Sequence, residues 1–436
     1  MARLIFPILF LLISMSCFAS GDSLLTENSD SVLVSETDSI AEQVVAAESS
    51  EFESGYPLSP EREELLISYS RFKNIWRFAS IFIEIIILLA LLFTGLSGKF
   101  ESWASRISDK RILVTLLYLL FYTIFMFLVN VPFDYYRGFI IEHQYGFSNQ
   151  NSIEWLTDSL KSQAILFVFM FIIVAILYKL INSLKRWWLW FSLGAIPFLV
   201  FVMLIYPIVL APMFNTFNPI GQTELGQELI ALSEKAGIEN PEVYEVDASK
   251  QSNKINAYFA GVFGSKRIVL YDNTIKLFTV DELKYVMGHE IGHYVMNHMW
   301  IGMLLAIAII MAGLYIMSKV LPGIITRYAD RFRFDRLGRV SSLPLILLFV
   351  TVFSFATQPI SNGASRIMEY DADQFGMELS GIDAQTAQVT FEKSSAYNLS
   401  DPDPAGIIEF WFYDHPALNK RIARIHELYD KSVKNN

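Results

Sequence analysis

The residues best suited to chemistry lie in one short segment, Val286 to Trp300, which reads VMGHEIGHYVMNHMW. It contains an H-E-x-x-H pattern, formed by His289, Glu290 and His293, with no Pro and only two Gly to oppose a helix. Four residues make about one helical turn, so both imidazoles fall on one face, where they can bind the same Zn²⁺ at roughly 2.0–2.1 Å. Glu290 lies beside that face and can serve as a general base toward an attacking water. His298 is out of phase with this turn, and we interpret it as an ordinary residue.

A third ligand is predicted further along the chain, in Ser365 to Phe375, which reads SRIMEYDADQF and is also compatible with a helix. Glu369 is the predicted ligand, which gives one Zn²⁺ per chain with a position left open for water. Asp373 lies one turn later, where it can hold a ligating His through its second ring nitrogen or donate a proton to the leaving amine. The alternative for Asp373 is a solvated acidic helix face. Arg366, one turn before Glu369, is expected to orient it.

Another candidate segment near the carboxyl terminus reads FYDHPALNKRI, at residues 412–422. His415 and Arg421 are candidates to stabilise the oxyanion of a tetrahedral intermediate, which needs hydrogen-bond donors aimed at the developing charge. The alternative for His415 is a cap or turn beside Pro416.

The composition indicates a membrane protein. The sequence is 53% hydrophobic and 14% aromatic, with a mean hydropathy of +0.38. The net charge of −10 argues against a nucleic-acid partner. The one cysteine, Cys17, excludes an intrachain disulfide and a cysteine-based zinc site, so His, Asp and Glu must bind any metal.

Hydrophobic stretches divide the chain into four parts. Residues 1–20 have the features of a secretory signal peptide, and residues 21–56 form an acidic segment too polar to fold alone. Residues 57–210 are predicted to be an N-terminal membrane domain of four spans, and residues 211–436 a metallopeptidase domain with two more. The predicted spans are 77–97, 112–133, 160–182, 187–210, 299–320 and 341–360.

The polar region before the zinc motif predicts a small sheet. Thr223 to Ala236 has the pattern of an amphipathic helix, which Gly237 ends. Strands are predicted at Val243 to Val246 and Arg267 to Tyr271, with Ile255 to Phe259 as the strand between them. A sheet edge beside the zinc helix can bind an extended peptide through backbone hydrogen bonds.

Several of these motifs resemble one family. HEIGH at 289–293, SRIMEYDAD at 365–373 and DHPALNKRI at 414–422 are similar to peptidase family M48, in its integral-membrane CAAX prenyl protease branch. FDYYRGFIIEHQYGFSNQN at 133–151 and APMFNTFNPI at 211–220 resemble the membrane domain of that branch. The resemblance extends over roughly residues 60–430.

The resemblance implies a mainly α, polytopic membrane protein. Its transmembrane helices would form a barrel around a chamber, capped by a zincin-like α+β metallopeptidase domain with a small sheet. The resemblance further implies that His289, His293 and Glu369 bind zinc, that Glu290 is the general base and that Asp373 is a second catalytic carboxylate. It also implies a substrate-binding strand with Asn256, Ala257 and Tyr258. His415 and Arg421 would contact the reacting carbonyl.

The function expected from these observations is membrane-embedded zinc endopeptidase activity of the CAAX-protease type on a peptide or protein that is lipidated or membrane-bound. One alternative is a quality-control protease for membrane or envelope proteins, without prenyl specificity. Others are a non-catalytic chaperone or scaffold that retains zinc, and a metal transporter, for which Glu84 is the main candidate. Membrane lipids are the other expected partners, and the sequence leaves the oligomeric state open.

The distribution of Lys and Arg predicts the orientation in the membrane. Three loops on one side are rich in basic residues, and we expect them in the cytoplasm: Lys99, Arg106, Lys110 and Arg111, then Lys179, Lys185 and Arg186, then Lys319, Arg327, Arg331, Arg333, Arg336 and Arg339. The zinc site then faces the periplasm of a bacterial inner membrane, which agrees with a signal peptide. The resemblance implies the opposite, a zinc domain open to the cytosol.

Overall fold

The structure is a computed structural model that describes residues 58–260 and 266–435. The expected signal peptide and acidic segment lie outside these residues. The helices are α1 (Pro60–Phe93), α2 (Leu96–Ile107), α3 (Arg111–Tyr135), α4 (Ser152–Ser183), α5 (Trp187–Ile205), α6 (Glu224–Lys235), α7 (Asp272–Leu277), α8 (Val280–Val295), α9 (His298–Phe332), α10 (Leu343–Ser380), α11 (Ala384–Tyr397), α12 (Gly406–Phe412) and α13 (Leu418–Asn435).

Six helical segments in the described part of the chain are long and apolar enough to cross a membrane, which confirms the predicted number. They correspond to α1, α3, α4, α5, α9 and α10. Helix α3 continues through a π-helical segment, Tyr136–Ile141, into a last turn, Glu142–Gln144. Helix α5 continues through a π-helical segment, Tyr206–Leu210, and a 3₁₀ turn, Ala211–Met213.

The first span ends earlier than predicted, at Phe93 rather than at residue 97. The chain breaks at Gly95, whose φ of +65° is left-handed. The backbone angle therefore favours glycine, and a Cβ atom at this position would also lie 2.6 Å from the Arg333 side chain, which would have to move. Helix α2 then starts at Leu96, and hydropathy alone does not predict this break.

Polar contacts join the three basic loops at one end of the bundle. The Arg339 Nε donates to Glu101 Oε1 at 2.9 Å, and the Ser341 amide donates to the same carboxylate at 3.2 Å. The Asn182 Nδ2 donates to the Gly338 carbonyl at 2.9 Å. Because α9 carries the chain from His298 to this end, the zinc motif lies at the opposite end of the bundle.

The last predicted span and the predicted third-ligand helix are one element. Helix α10 runs without interruption for 38 residues, from Leu343 to Ser380, although Pro359 lies within it. The same helix therefore crosses the bundle and carries Glu369 to the site.

Four short strands form the sheet: β1 (Phe217–Pro219), β2 (Glu242–Val246), β3 (Ala257–Ala260) and β4 (Arg267–Tyr271). Their order in the sheet is β1-β2-β4-β3, with β2 and β4 parallel and the other pairs antiparallel. The strand predicted to start at Ile255 is β3, and it lies between β2 and β4 in the sequence. In the sheet, however, β4 pairs directly with β2, and β3 is an edge strand. Helix α6 follows the prediction, with Thr223 as its N-cap and Gly237, at φ +79°, after its end.

Candidate metal centre and active site

Close packing of α8 against α10 brings the site together. A Cβ atom on Gly288 would lie 2.9 Å from the Gly376 carbonyl oxygen, and one on Gly376 would lie 2.8 Å from the His289 amide nitrogen. A Cβ atom on Gly292 would lie 3.2 Å from the Phe375 side chain, a slightly longer but still tight contact. The two backbones can approach this far only because these three residues have no side chain.

Three potential ligands meet between these helices. His289 Nε2 and His293 Nε2 are 3.1 Å apart, and they lie 3.4 and 3.3 Å from the two Glu369 oxygens. Two donors at about 2.0–2.1 Å from one tetrahedral ion would lie about 3.3 Å apart, so these spacings fit a zinc ion. Glu369 Oε2 is buried and accepts no hydrogen bond within the described ranges. The ligand types, their spacing and this unsatisfied oxygen therefore fit a metal.

Asp373 lies behind His289, and Arg421 lies close to both Asp373 and Glu369. The Asp373 carboxylate is 1% exposed, and its Oδ1 lies 2.9 Å from His289 Nδ1. Arg421 binds the same carboxylate with two donors, Nε to Oδ2 at 2.8 Å and Nη2 to Oδ1 at 2.5 Å. This arrangement favours the first role predicted for Asp373, holding the ring of a ligating histidine. It disfavours a solvated acidic face.

The charges at the site are strongly coupled. Burial lowers the pKa of His289, but the neighbouring Asp373 and Glu369 carboxylates outweigh it and raise the pKa to about 9. Burial also lowers the pKa of Arg421, and the neighbouring Asp373 carboxylate raises it further than burial lowers it. The protein thus holds two carboxylates and an arginine together out of water, a charge arrangement suited to a bound cation.

His298 is a site residue that the sequence reasoning missed. Its Nδ1 lies 3.0 Å from His293 Nδ1, on the ring edge opposite the predicted metal position. On a continuous helix a spacing of five residues would put the two rings out of phase. The helix ends at Val295, however, and Asn297 adopts a left-handed φ of +59°, which turns the chain back toward His293. An Asn directly after a helical pattern is the signal that indicates such a turn.

Arg366 does not contact Glu369, so that prediction is wrong. Its Nη1 donates to the carbonyl oxygens of Glu409, at 3.0 Å, and Tyr413, at 2.6 Å. These contacts hold the segment that carries His415 against α10. His415 Nε2 lies 3.0 Å from Glu369 Oε1, close to the predicted metal position.

The predicted substrate strand is β3, beside the metal helix. The Phe259 ring packs on the Tyr294 ring of α8, with centroids 4.7 Å apart. Asn256, immediately before the strand, is fixed at its backbone by Thr274, whose Oγ1 accepts from the Asn256 amide at 2.9 Å and donates to its carbonyl at 2.7 Å. Ala257 is buried, and Tyr258 is half-buried.

The structure therefore brings most of the predicted site residues into one place. Glu290 is half-buried on α8, next in sequence to His289. The other predicted residues that meet around the ligand position are His289, His293, Glu369, Asp373, His415 and Arg421. Asn256, Ala257 and Tyr258 lie on the neighbouring sheet edge.

Known proteins match both halves of the chain. Residues 219–429 match peptidase family M48, and residues 59–216 match the family described as CAAX prenyl protease N-terminal, five membrane helices. An uncharacterized metalloprotease, YhfN, of Bacillus subtilis is 32% identical over 366 residues, which cover 84% of this chain and 85% of that protein. CAAX prenyl protease 1 of Saccharomyces cerevisiae is 27% identical over 325 residues, 70% of each chain.

A solved structure gives the same result for the fold. The crystal structure of S. mikatae Ste24p aligns with a TM-score of 0.74 at 23% identity, covering 89% of this chain and 97% of that one. The chain therefore belongs to peptidase family M48, and it is an integral-membrane metallopeptidase.

Proposed function

We propose that this protein is a zinc endopeptidase that cleaves membrane-associated peptides near their carboxyl terminus. The observation that carries the proposal is the convergence of two imidazoles and one carboxylate, at mutual distances of 3.1–3.4 Å, with Glu290, the proposed base, next in sequence to His289. Structural zinc usually has four protein ligands, whereas three ligands leave a position open for the reaction. This argues against a scaffold that retains zinc only for stability.

His289, His293 and Glu369 would hold the ion. When bound, zinc supplies Lewis-acid chemistry, which makes water more acidic and polarises the scissile carbonyl. Glu290 accepts a proton from the attacking water and passes it to the leaving nitrogen. His415 and Arg421 lie within 3.5 Å of Glu369, and we assign them to the developing oxyanion. Asp373 and His298 fix the rings of the two histidine ligands from behind.

We place the division between the membrane domain and the metallopeptidase domain near residue 211.

The substrate is expected to lie along the edge of β3 in an extended conformation, held by backbone hydrogen bonds. Several relatives are named CAAX prenyl protease, which supports a C-terminally prenylated substrate. A quality-control protease without prenyl specificity would use the same catalytic residues, so substrate length and lipidation must separate the two.

A peptide assay tests this proposal. Purified full-length protein is incubated with a decapeptide that ends in Cys, Val, Ile and Ala, with and without a farnesyl group on the Cys, and products are measured by mass spectrometry. We expect Zn²⁺-dependent loss of the last three residues from the farnesylated peptide, abolished by a chelator and restored by Zn²⁺. Equal cleavage of both peptides would favour quality control, and no Zn²⁺-dependent cleavage of either would contradict the proposal.

The orientation is also part of the proposal: the metal site faces the periplasmic or exoplasmic side. Two observations support it. The three basic loops are held together at one end of the bundle, and the metal site lies at the other. Because basic loops stay in the cytoplasm, the site then faces outward.

Cysteine labelling checks the orientation. In a Cys17→Ser background, Ser400→Cys is exposed on the metallopeptidase domain and Ser183→Cys is exposed at the basic end. We expect a membrane-impermeant maleimide to label position 400 in intact spheroplasts and position 183 only after the membrane is permeabilised. The reverse pattern would place the metal site in the cytoplasm.

A further inference from the structure

Arg77, on the first membrane helix, has no carboxylate partner in the described part of the chain. Its Nη1 donates to Asn74 Oδ1 at 3.0 Å, and its Cζ lies 5.0 Å from the centroid of the Tyr413 ring and 6.0 Å from that of Phe412. A half-buried guanidinium at the start of an apolar span has an unfavourable free energy, so such a residue usually has a function. The usual ligand of a guanidinium is an anion.

The contacts of Arg77 place it beside the active site rather than toward lipid. Tyr413, whose ring it covers, is two residues from His415, and the Tyr413 carbonyl is held by Arg366 of α10. His415 in turn lies 3.0 Å from Glu369. Arg77 is therefore separated from the metal position by a few peptide units, each about 3.3–3.6 Å long.

The same face of α1 also reaches the start of the substrate strand. Lys73, one turn before Arg77, donates from Nζ to the Leu399 carbonyl at 3.2 Å. The adjacent Asn398 side chain binds both the amide and the carbonyl of Ile255, at 3.1 Å each, just before β3. This face of α1 therefore extends from the His415 segment to the amino end of β3.

The other charges near this face leave it positive. Lys254 pairs with Glu142 at 2.6 Å, and Tyr69 donates to the same carboxylate at 2.7 Å. Two other carboxylates lie near this face: Asp401, whose Oδ1 accepts a hydrogen bond from the Asp403 amide, and Glu409, which pairs with Lys420. Arg77 therefore adds a positive charge that the pairing of Lys254 with Glu142 does not balance.

The direction of the bound peptide determines which end meets this charge. Antiparallel pairing is the more stable way to add a strand to an edge such as β3. A peptide that runs antiparallel to β3 has its carboxyl end toward Ile255, at the amino end of the strand. This is the end that Asn398 joins to Lys73.

We propose that Arg77, assisted by Lys73, binds the free C-terminal carboxylate of the peptide substrate three or four residues beyond the cleaved bond. The proposal rests on the proposed function, since it assigns the residue that recognises the end of the same substrate. An arginine can bind a carboxylate through two parallel hydrogen bonds, which gives both affinity and a fixed distance. Such a subsite measures the distance from the C-terminus to the cleaved bond.

The experiment measures binding without turnover. The full-length Zn²⁺-loaded Glu290→Gln protein is titrated with the farnesylated decapeptide described above, made once with a free C-terminal acid and once as a C-terminal amide. We expect the acid to bind at least about tenfold more tightly than the amide, because only the acid carries the charge that pairs with Arg77. Adding Arg77→Ala or Arg77→Gln should reduce the affinity for the acid to that for the amide, whereas Arg77→Lys should retain part of the difference.

Arg71→Ala is the matched control, since Arg71 is an exposed arginine on the same helix, and the acid-to-amide ratio should not change. Equal binding of acid and amide, including no binding of either, would overturn the proposal, as would a preference for the acid that survives Arg77→Ala. Failure of the proposed function is a separate result: the protein with Glu290 intact would then cleave neither peptide even if the acid is bound preferentially.

Discussion

Replacing Glu290 by Gln is expected to lower kcat for peptide hydrolysis by about 10³-fold while one Zn²⁺ per chain stays bound. A positioned general base contributes about 10²–10⁴-fold, and Gln keeps the size of the side chain but cannot accept the proton. Glu290 is not one of the three residues that converge as ligands, so metal content should not change. The measurements are kcat by mass spectrometry and zinc by elemental analysis of the same sample.

Glu378→Gln is the control for this change, because Glu378 is exposed on α10, where its carboxylate accepts a hydrogen bond from Gln374 one turn away. Its kcat should equal that of the unsubstituted protein. Full activity of the Glu290→Gln variant would remove Glu290 from the mechanism. Loss of zinc from that variant would make Glu290 a ligand rather than a base.

Replacing a ligand is expected to have a larger effect, the loss of both metal and activity. His293→Ala and Glu369→Gln each remove one of three protein ligands, and the remaining two cannot hold the ion against competing water and chelators. Zinc content should fall from one per chain to near zero after dialysis, and hydrolysis should become undetectable.

His426→Ala is the matched control for the ligand variants. His426 Nε2 lies 2.6 Å from Gln388 Oε1, in a contact between α13 and α11 outside the ligand group. This variant should keep its zinc and its activity. A His293→Ala or Glu369→Gln protein that still binds one tightly held Zn²⁺ would show that the ion lies elsewhere.

The sequence alone predicts the features that depend on a repeated pattern or on residues close together in the chain. Six runs of apolar residues predict six spans because a bilayer core of about 30 Å requires roughly twenty residues per helix. His289 and His293 could be paired because one helical turn fixes their separation. Glu369 depended on the motif around it, since no local rule brings together residues 76 positions apart.

The features that were missed depend on breaks in regular structure or on long-range packing. His298 contacts His293 because α8 ends and Asn297 turns the chain, which a continuous helical pattern does not reveal. Arg366 binds carbonyls of the His415 segment because α12 packs against α10, a contact between parts of the chain about 45 residues apart. The edge position of β3 follows from strand pairing, for which the sequence carries only a weak signal.

The proposed hydrolysis depends on where the metal binds and on what surrounds it. Anomalous diffraction at the zinc absorption edge, from crystals of the full chain loaded with Zn²⁺, measures both directly. We predict one peak per chain within bonding distance of His289 Nε2, His293 Nε2 and Glu369, with a fourth side open toward Glu290. A peak elsewhere, or an ion whose fourth position is filled by another side chain, would contradict the account.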